Sequence, residues 1–188
     1  MRPPLKLVAV SGGMQRPSRT GALVEHLAQA IGAACPVSTH FVHLGDVVPG
    51  LACSMDRRHL PPDIEAHLAA IESADALIVA SPVYRASYTG LFKHFFDFVD
   101  QDALIDVPVM LVATGGSDRH ALVLDTALRP LFSFFQALTL PIGVYASPSD
   151  FDNYRVTSAP LQARIALAIA RALPHLKPRT TAAARTTE

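Results

Sequence analysis

A parallel β-sheet covered by helices on both faces is the fold class predicted for this chain, and three observations predict it. Residues 5–10, 76–80 and 107–113 are short apolar runs rich in Val, Ile, Leu and Ala. Such continuous runs suit strands buried on both sides. Stretches of helical periodicity lie between them. The first and third runs end on glycine pairs and the second on a Ser-Pro step, which mark sharp turns at strand ends.

In chain order, residues 5–10 form the first strand, closed by Ser11-Gly12-Gly13. A helix over residues 20–33 follows, with Leu23, Val24, Leu27, Ala30 and Ile31 on one face. Residues 37–44 alternate as a second strand. Residues 45–62 read as a long irregular connection, and Pro61 and Pro62 open a helix that runs to about residue 73. The third strand spans 76–80, a Phe-rich helix 91–99, and the fourth strand 107–113, ending on Thr114-Gly115-Gly116-Ser117. A long helix is expected from about 119 to 138, a fifth strand over 140–146, and a last amphipathic helix over 159–173. From Pro174 the chain loses apolar periodicity, so the expectation is one domain over 1–173 and a disordered tail over 174–188. Right-handed crossovers and five strands select the flavodoxin-like order 2-1-3-4-5.

Composition excludes several function classes. Half of the 188 residues are hydrophobic, which describes a packed globular chain. Lys plus Arg and Asp plus Glu are equal at 16 each, so a general nucleic-acid or anionic membrane binder is not expected. No run approaches the roughly 20 apolar residues of a membrane span, and the start of the chain lacks a signal-peptide pattern. The two cysteines, Cys35 and Cys53, have no metal or redox spacing and read as reduced thiols of a cytoplasmic protein. His40, His43 and His59 lie near Asp46 and Cys53, but no metal-ligand spacing emerges, and no metal is expected.

In the 2-1-3-4-5 order the ends of strands one, three and four lie side by side at the switch point, where ligands of open α/β sheets sit. Three unusual loops therefore converge. The first, from Ser11 to Thr20, offers glycines, the hydroxyls of Ser11, Ser18 and Thr20, the charges of Arg16 and Arg19, and a helix N-terminus. Those are the parts of a phosphate site, although Ser18 or Thr20 also serves as an ordinary helix cap. The loop is neither a P-loop nor G-x-G-x-x-G. The second loop, Ser81 to Gly90, brings Pro82, Val83, Tyr84 and Ser87 as cover for a flat ring. The third brings Thr114, Gly115 and Gly116, whose glycines allow close backbone approach. One phosphate beside a planar heterocycle describes flavin mononucleotide better than a dinucleotide.

These residues are similar to the NAD(P)H-dependent FMN reductases. The likeness rests on Ser11-Gly12, on Ser18-Arg19-Thr20, on SPVYRASYTGLFK from Ser81, and on ATGGSDRHALVLDTALRPL from Ala113. It spans nearly the whole chain before the tail and is strongest to the reductases of two-component alkanesulfonate and methanesulfonate monooxygenase systems. The resemblance implies hydride transfer from NADPH or NADH to FMN, with reduced FMN passed to a flavin-dependent monooxygenase. It assigns Ser11, Arg16, Ser18 and Thr20 to the phosphate, Pro82, Val83, Tyr84 and Ser87 to the ring, and Thr114, Gly115 and Gly116 to its polar edge. The N–H groups of Gly115 and Gly116 are expected to face the flavin N1–C2=O edge. Hydride transfer needs no general base, so no catalytic residue is named. Arg85, Arg119 and His120 flank the pocket as candidates for the nicotinamide cofactor's phosphates, or as plain surface charges.

Two departures from the family pattern stand out. Gly13 replaces a small hydroxyl residue, and Thr126 stands where reductases of alkanesulfonate systems carry a tyrosine in a π-helical insertion. Alternatives on the same fold are an FMN-retaining quinone or azo-dye reductase and a flavodoxin-type electron carrier. Neutral charge speaks against the carrier, which is usually acidic. A receiver domain needs an acidic cluster after strand one, where Ser11-Gly12-Gly13 stands. Phe92, Phe95, Phe96 and Phe98 with Phe132, Phe134 and Phe135 give two helices apolar over a wide arc, and a homodimer or homotetramer is expected.

Overall fold

The computed structural model describes residues 3–179. Its main sheet follows the order β2-β1-β3-β4-β5, all parallel. The strands are β1 Leu5–Ser11, β2 Val37–His43, β3 Ala76–Pro82, β4 Pro108–Thr114 and β5 Leu138–Thr139. A short strand β6, Val144–Ala146, also pairs with β4. The flavodoxin-like order read from the sequence is therefore the order of the protein.

The sheet separates two apolar clusters, because side chains alternate along each strand. Val8, Val10, Leu77, Val79, Val109 and Leu111 point one way, onto Phe92, Phe96 and Phe132. Leu7, Ala9, Ile78, Met110 and Val112 point the other way, onto Leu23, Leu27, Ile165 and Ile169. Helix α1, Arg19–Ala34, and the last helix cover this second face. Of the seven phenylalanines in the two Phe-rich segments, only Phe134 is widely exposed; Phe92, Phe95, Phe96, Phe132 and Phe135 are buried within the monomer.

Five expectations are corrected. The segment after β2 is not irregular throughout: Leu44–Ala52 is helix α2, carrying Pro49 inside it. Gly45, Pro49 and Gly50 weaken its helical signal, but Leu44, Val47 and Leu51 bury one face, and tertiary packing overrides propensity. Helix α3 follows at Pro62–Glu72 and α4 at Gly90–Phe96, shorter than the helix expected over 91–99. The single helix expected from 119 to 138 is three pieces: a 3-10 turn Asp118–His120, a π-helical turn Leu124–Leu128, and α5, Arg129–Phe134. Pro130 has no N–H to donate and sits in the first turn of α5, where that loss is tolerated. The N–H of Arg129 reaches back to the carbonyl of Leu124, the wider step of a π-helix.

The fifth strand is split into β5 and β6. Pro141 falls between them and cannot donate to the ladder. Beyond it, Phe151–Asp152 (β7) and Arg155–Val156 (β8) form an antiparallel hairpin that no alternation in the sequence announces. Helix α6, Ala159–Ala172, closes the fold. The chain stays ordered past Pro174: Leu173–His175 is a 3-10 turn, and the N–H of Arg179 donates to Asp75 Oδ1 at 2.6 Å. The rest of the expected tail, 180–188, lies outside the described residues.

Candidate active site

Strand register builds the site. Ser11 pairs with Ala80 and Pro82 with Thr114, so β3 and β4 end level and β1 ends two residues earlier beside them. Backbone bonds then lace the loops across those ends: Gly12 N–H to Ala80 carbonyl at 2.7 Å, Val83 N–H to Thr114 carbonyl at 2.7 Å, and Gly115 N–H to Ala146 carbonyl at 3.1 Å. The buried hydroxyls of Thr20 and Thr114 meet at 2.7 Å and tie the start of α1 to the last loop. Among the loops lies a cleft of about 300 Å3.

The phosphate-loop side of that cleft contains Ser18, Arg19 and Thr20. Ser18 is the N-cap of α1, accepting from Gly21 N–H at 3.0 Å. No acidic residue stands in the first turn of α1, and Arg19 occupies its first position. A cation at the positive end of a helix dipole is unfavourable by about 0.3–1 kcal/mol, and an anion at that place reverses the sign. By contrast, α3 carries Asp63 and Glu65 in its own first turn. A phosphate therefore fits the start of α1.

Gly13 lines the cleft with a distinct purpose. A Cβ there would lie 2.9 Å from Ser18 Oγ, so a side chain at 13 displaces the cap. Ser11 is buried at the end of β1, behind the loop. Arg16 is turned away from the cleft: it pairs with Asp46 at 2.9 Å and lines a neighbouring cavity.

Pro82, Val83 and Tyr84 form one wall of the cleft. Tyr84 and Ser87 exchange both backbone hydrogen bonds, at 2.9 and 3.1 Å, around a two-residue turn. Its central residues Arg85 and Ala86 have φ of 50° and 66°. Left-handed backbone at two residues with side chains is strained, and the turn thrusts Tyr84 outward. Ser87 lies behind this wall, in a small crevice with Tyr88. Arg85, Arg119 and His120 are exposed and do not line the cleft.

Thr114, Gly115 and Gly116 form the opposite wall. The two glycines differ. A Cβ on Gly115 would overlap the hydroxyl of Tyr145, which donates to Ser117 carbonyl at 2.5 Å. Gly115 thus accommodates Tyr145 beneath the loop, and its N–H is engaged by Ala146. A Cβ on Gly116 would meet nothing within 4 Å. The expected pair of ring-facing N–H groups is reduced to one candidate, Gly116. Burial, with Asp118 and Asp150 nearby, pushes the Tyr145 hydroxyl above its ordinary pKa, so it stays a donor.

Sequence reasoning missed Tyr145 and Tyr154. Tyr145 belongs to the strand that the Pro141 break displaces. Tyr154 sits at the tip of the β7–β8 hairpin and lines the cleft beside Ser18. Nothing in the local pattern of either residue signals a site. A larger cavity, about 560 Å3, lies at Arg57, Arg58 and Glu65. Arg57 is consumed there by Glu65 and Glu72, at 2.6 and 2.5 Å, which makes the place a structural tie.

Residues 5–152 match the family model described as NADPH-dependent FMN reductase. An NADH-dependent FMN reductase, SfnF, of Pseudomonas fluorescens (strain Pf0-1) is 59% identical over 182 residues, covering 95% of this chain and 97% of that protein. An FMN reductase (NADPH) of Pseudomonas aeruginosa is 58% identical over 174 residues, covering 93% and 94%. The solved apo form of an NADH:FMN oxidoreductase superposes with a TM-score of 0.84 at 30% identity, covering 93% of this chain and 91% of that one. The converging loops, the anion-seeking start of α1 and these likenesses agree: the chain belongs to the NADPH-dependent FMN reductase family and is an NAD(P)H:FMN oxidoreductase.

Proposed function

We propose that the chain takes FMN as an exchangeable substrate, reduces it with NADH or NADPH, and hands reduced FMN to a flavin-dependent monooxygenase in the cytoplasm. The observation that carries the reading is the start of α1, where Arg19 and a first turn without acidic residues favour an anion at one end of a cleft walled by Pro82, Val83 and Gly116. FMN, when bound, supplies the N5 atom that accepts hydride from the nicotinamide.

The chain supplies position. Ser18, Arg19 and Thr20 hold the phosphate, Pro82, Val83 and Tyr84 cover a ring face, and Gly116 leaves its edge open to backbone. Among the described residues, the cleft lining has no Asp, Glu, His or Lys. Its contribution to rate is orientation of two rings, which suffices for hydride transfer between cofactors. Arg85, Arg119 and His120, around the rim, meet the phosphates of the nicotinamide donor. The relatives' names divide between NADH and NADPH, so both donors belong in the test. Self-association uses Leu122, Phe134 and Leu138, which are 70%, 65% and 42% exposed.

The test is nicotinamide oxidation by flavin-free protein, with and without added FMN. Turnover that requires and saturates with FMN supports the reading. A sequential rate law keeps FMN as an exchangeable substrate. Ping-pong kinetics with retained flavin would replace it with a quinone or azo-dye reductase. FMN binding without turnover would point to a carrier.

A further inference from the structure

The flavin cleft has a neighbour. A second cavity of about 470 Å3 lies on the other side of the phosphate loop, lined by Arg16, Gly21, Glu25 and His43 among others. Three residues line both spaces: Pro17, Ser18 and Tyr154. They form the partition between the phosphate end of the cleft and the outer cavity. Ser18 is fixed as the cap of α1. Tyr154 comes from a different part of the chain and is 45% exposed.

The hairpin that presents Tyr154 is firmly seated. Phe151 and Val156 pack on the apolar cluster of Leu23, Leu27, Ile165 and Ile169, and β8 lies against α1. Ser147 and Asp150 form a capping box at its base, and Thr157 N–H donates to Asp150 carbonyl at 3.0 Å. The two residues at its tip, Asn153 and Tyr154, have φ of 45° and 63°. Two-residue hairpin turns of this kind favour Asn-Gly, because glycine adopts the left-handed region without cost. Here the first position is the favoured Asn and the second is a tyrosine. A bulky residue in strained backbone beside a ligand cleft points from the strain to a role. Tyr154 also lies just past the segment matched by the family model, which ends at residue 152.

We propose that Tyr154 sets flavin selectivity by closing the phosphate end of the cleft against a dinucleotide. A flavin dinucleotide continues beyond its first phosphate into an adenosine monophosphate. At the phosphate end that continuation meets the wall of Pro17, Ser18 and Tyr154. The outer cavity behind the wall is of the size of a small-ligand site, within the ~300–1,000 Å3 usual for such pockets. It is lined by Arg16, whose guanidinium would exchange Asp46 for a second phosphate. Ser18 cannot be changed without losing a helix cap, whereas the Tyr154 side chain can be removed with the cap left in place. The proposal rests on the reading that the flavin phosphate meets Ser18 and Arg19.

The experiment compares kcat/KM for FMN and FAD in the parent protein, Tyr154→Gly and Tyr154→Phe, with a thermal melt of each. The parent is expected to prefer FMN. Tyr154→Gly is expected to raise the FAD-to-FMN ratio about tenfold, equivalent to ~1.4 kcal/mol of discrimination. Its melting temperature is held or raised, because glycine relieves the left-handed backbone. Tyr154→Phe keeps the parent ratio if the ring is the barrier. Equal use of FMN and FAD by the parent, or a ratio unchanged in Tyr154→Gly, overturns the proposal. Failure of the underlying reading has a different signature: riboflavin is then used as well as FMN, whatever stands at 154.

Discussion

The hydroxyl of Tyr145 occupies the space that a side chain on Gly115 would need. It reaches that place to donate to Ser117 carbonyl, two residues further along the same loop. The glycine turn facing the cleft is thus held from behind by a residue of β6. Gly115 is explained by a protein contact, and Gly116 by open space on the ligand side.

This relationship predicts a specific rescue. Gly115→Ala destabilises the fold by about 1–3 kcal/mol, the cost of forcing a methyl into a filled site. Tyr145→Phe removes the overlapping oxygen, leaving the ring carbon at 3.1 Å as the nearest atom. The double variant is therefore more stable than Gly115→Ala alone, by urea unfolding. Additive losses would show that the two residues do not compete for one space. Gly116→Ala, with nothing within 4 Å, leaves stability unchanged and weakens flavin binding.

The buried Thr20–Thr114 pair joins two of the three site loops through one hydrogen bond of 2.7 Å. Thr114→Val leaves the Thr20 hydroxyl without that partner and costs about 1–3 kcal/mol. Valine at both positions costs less than the sum of the single changes, because no polar group is then stranded. Denaturant unfolding of the four proteins measures the coupling, and a coupling near zero would contradict it.

Arg19 and Arg16, three residues apart, are expected to behave differently. Arg19 is in the cleft lining, whereas Arg16 pairs with Asp46 outside it. Arg19→Ala raises KM for FMN about tenfold, the order of a charge-assisted contact worth ~1.5 kcal/mol. KM for riboflavin, which has no phosphate, is unmoved. Arg16→Ala changes FMN affinity far less. Steady-state titrations with both flavins decide between them.

Stability is expected to fall on acidification below neutrality. Burial pushes the His67 imidazole below its ordinary value of 6.5, and the adjacent charge of His40 pushes the same way against Asp63 and Asp46. Burial also lowers His43, helped by Arg16 and opposed by Glu25 and Asp46. The unfolded chain therefore binds protons first as pH drops. The stability these groups contribute is complete above about pH 6.5 and is lost as pH falls through the lower folded-state values. His40 Nε2 and His67 Nδ1 share one hydrogen bond at 2.8 Å, so one ring must accept. Melting temperatures between about pH 7.5 and 5.5 should decline in the parent and less so in His67→Gln.

Much of the architecture is legible in the chain because its strands are buried on both faces. Continuous apolar runs such as Leu77–Ile78–Val79 have few alternatives, and turn residues mark where they stop. Right-handed crossovers then leave one arrangement that brings Ser18, Pro82 and Thr114 together. Local sequence determined the three loops, the cap at Ser18 and the strand order. It concealed α2, where Pro49 and two glycines mask a helix that burial of Leu44, Val47 and Leu51 sustains. Tertiary structure alone decided which way each loop residue faces: that Arg16 turns to Asp46, that Gly115 serves Tyr145 and that Tyr154 reaches the cleft beside Ser18. Periodicity records which residues are buried. It holds no record of contacts between residues far apart in the chain, and the two tyrosines are joined to the site only by such contacts.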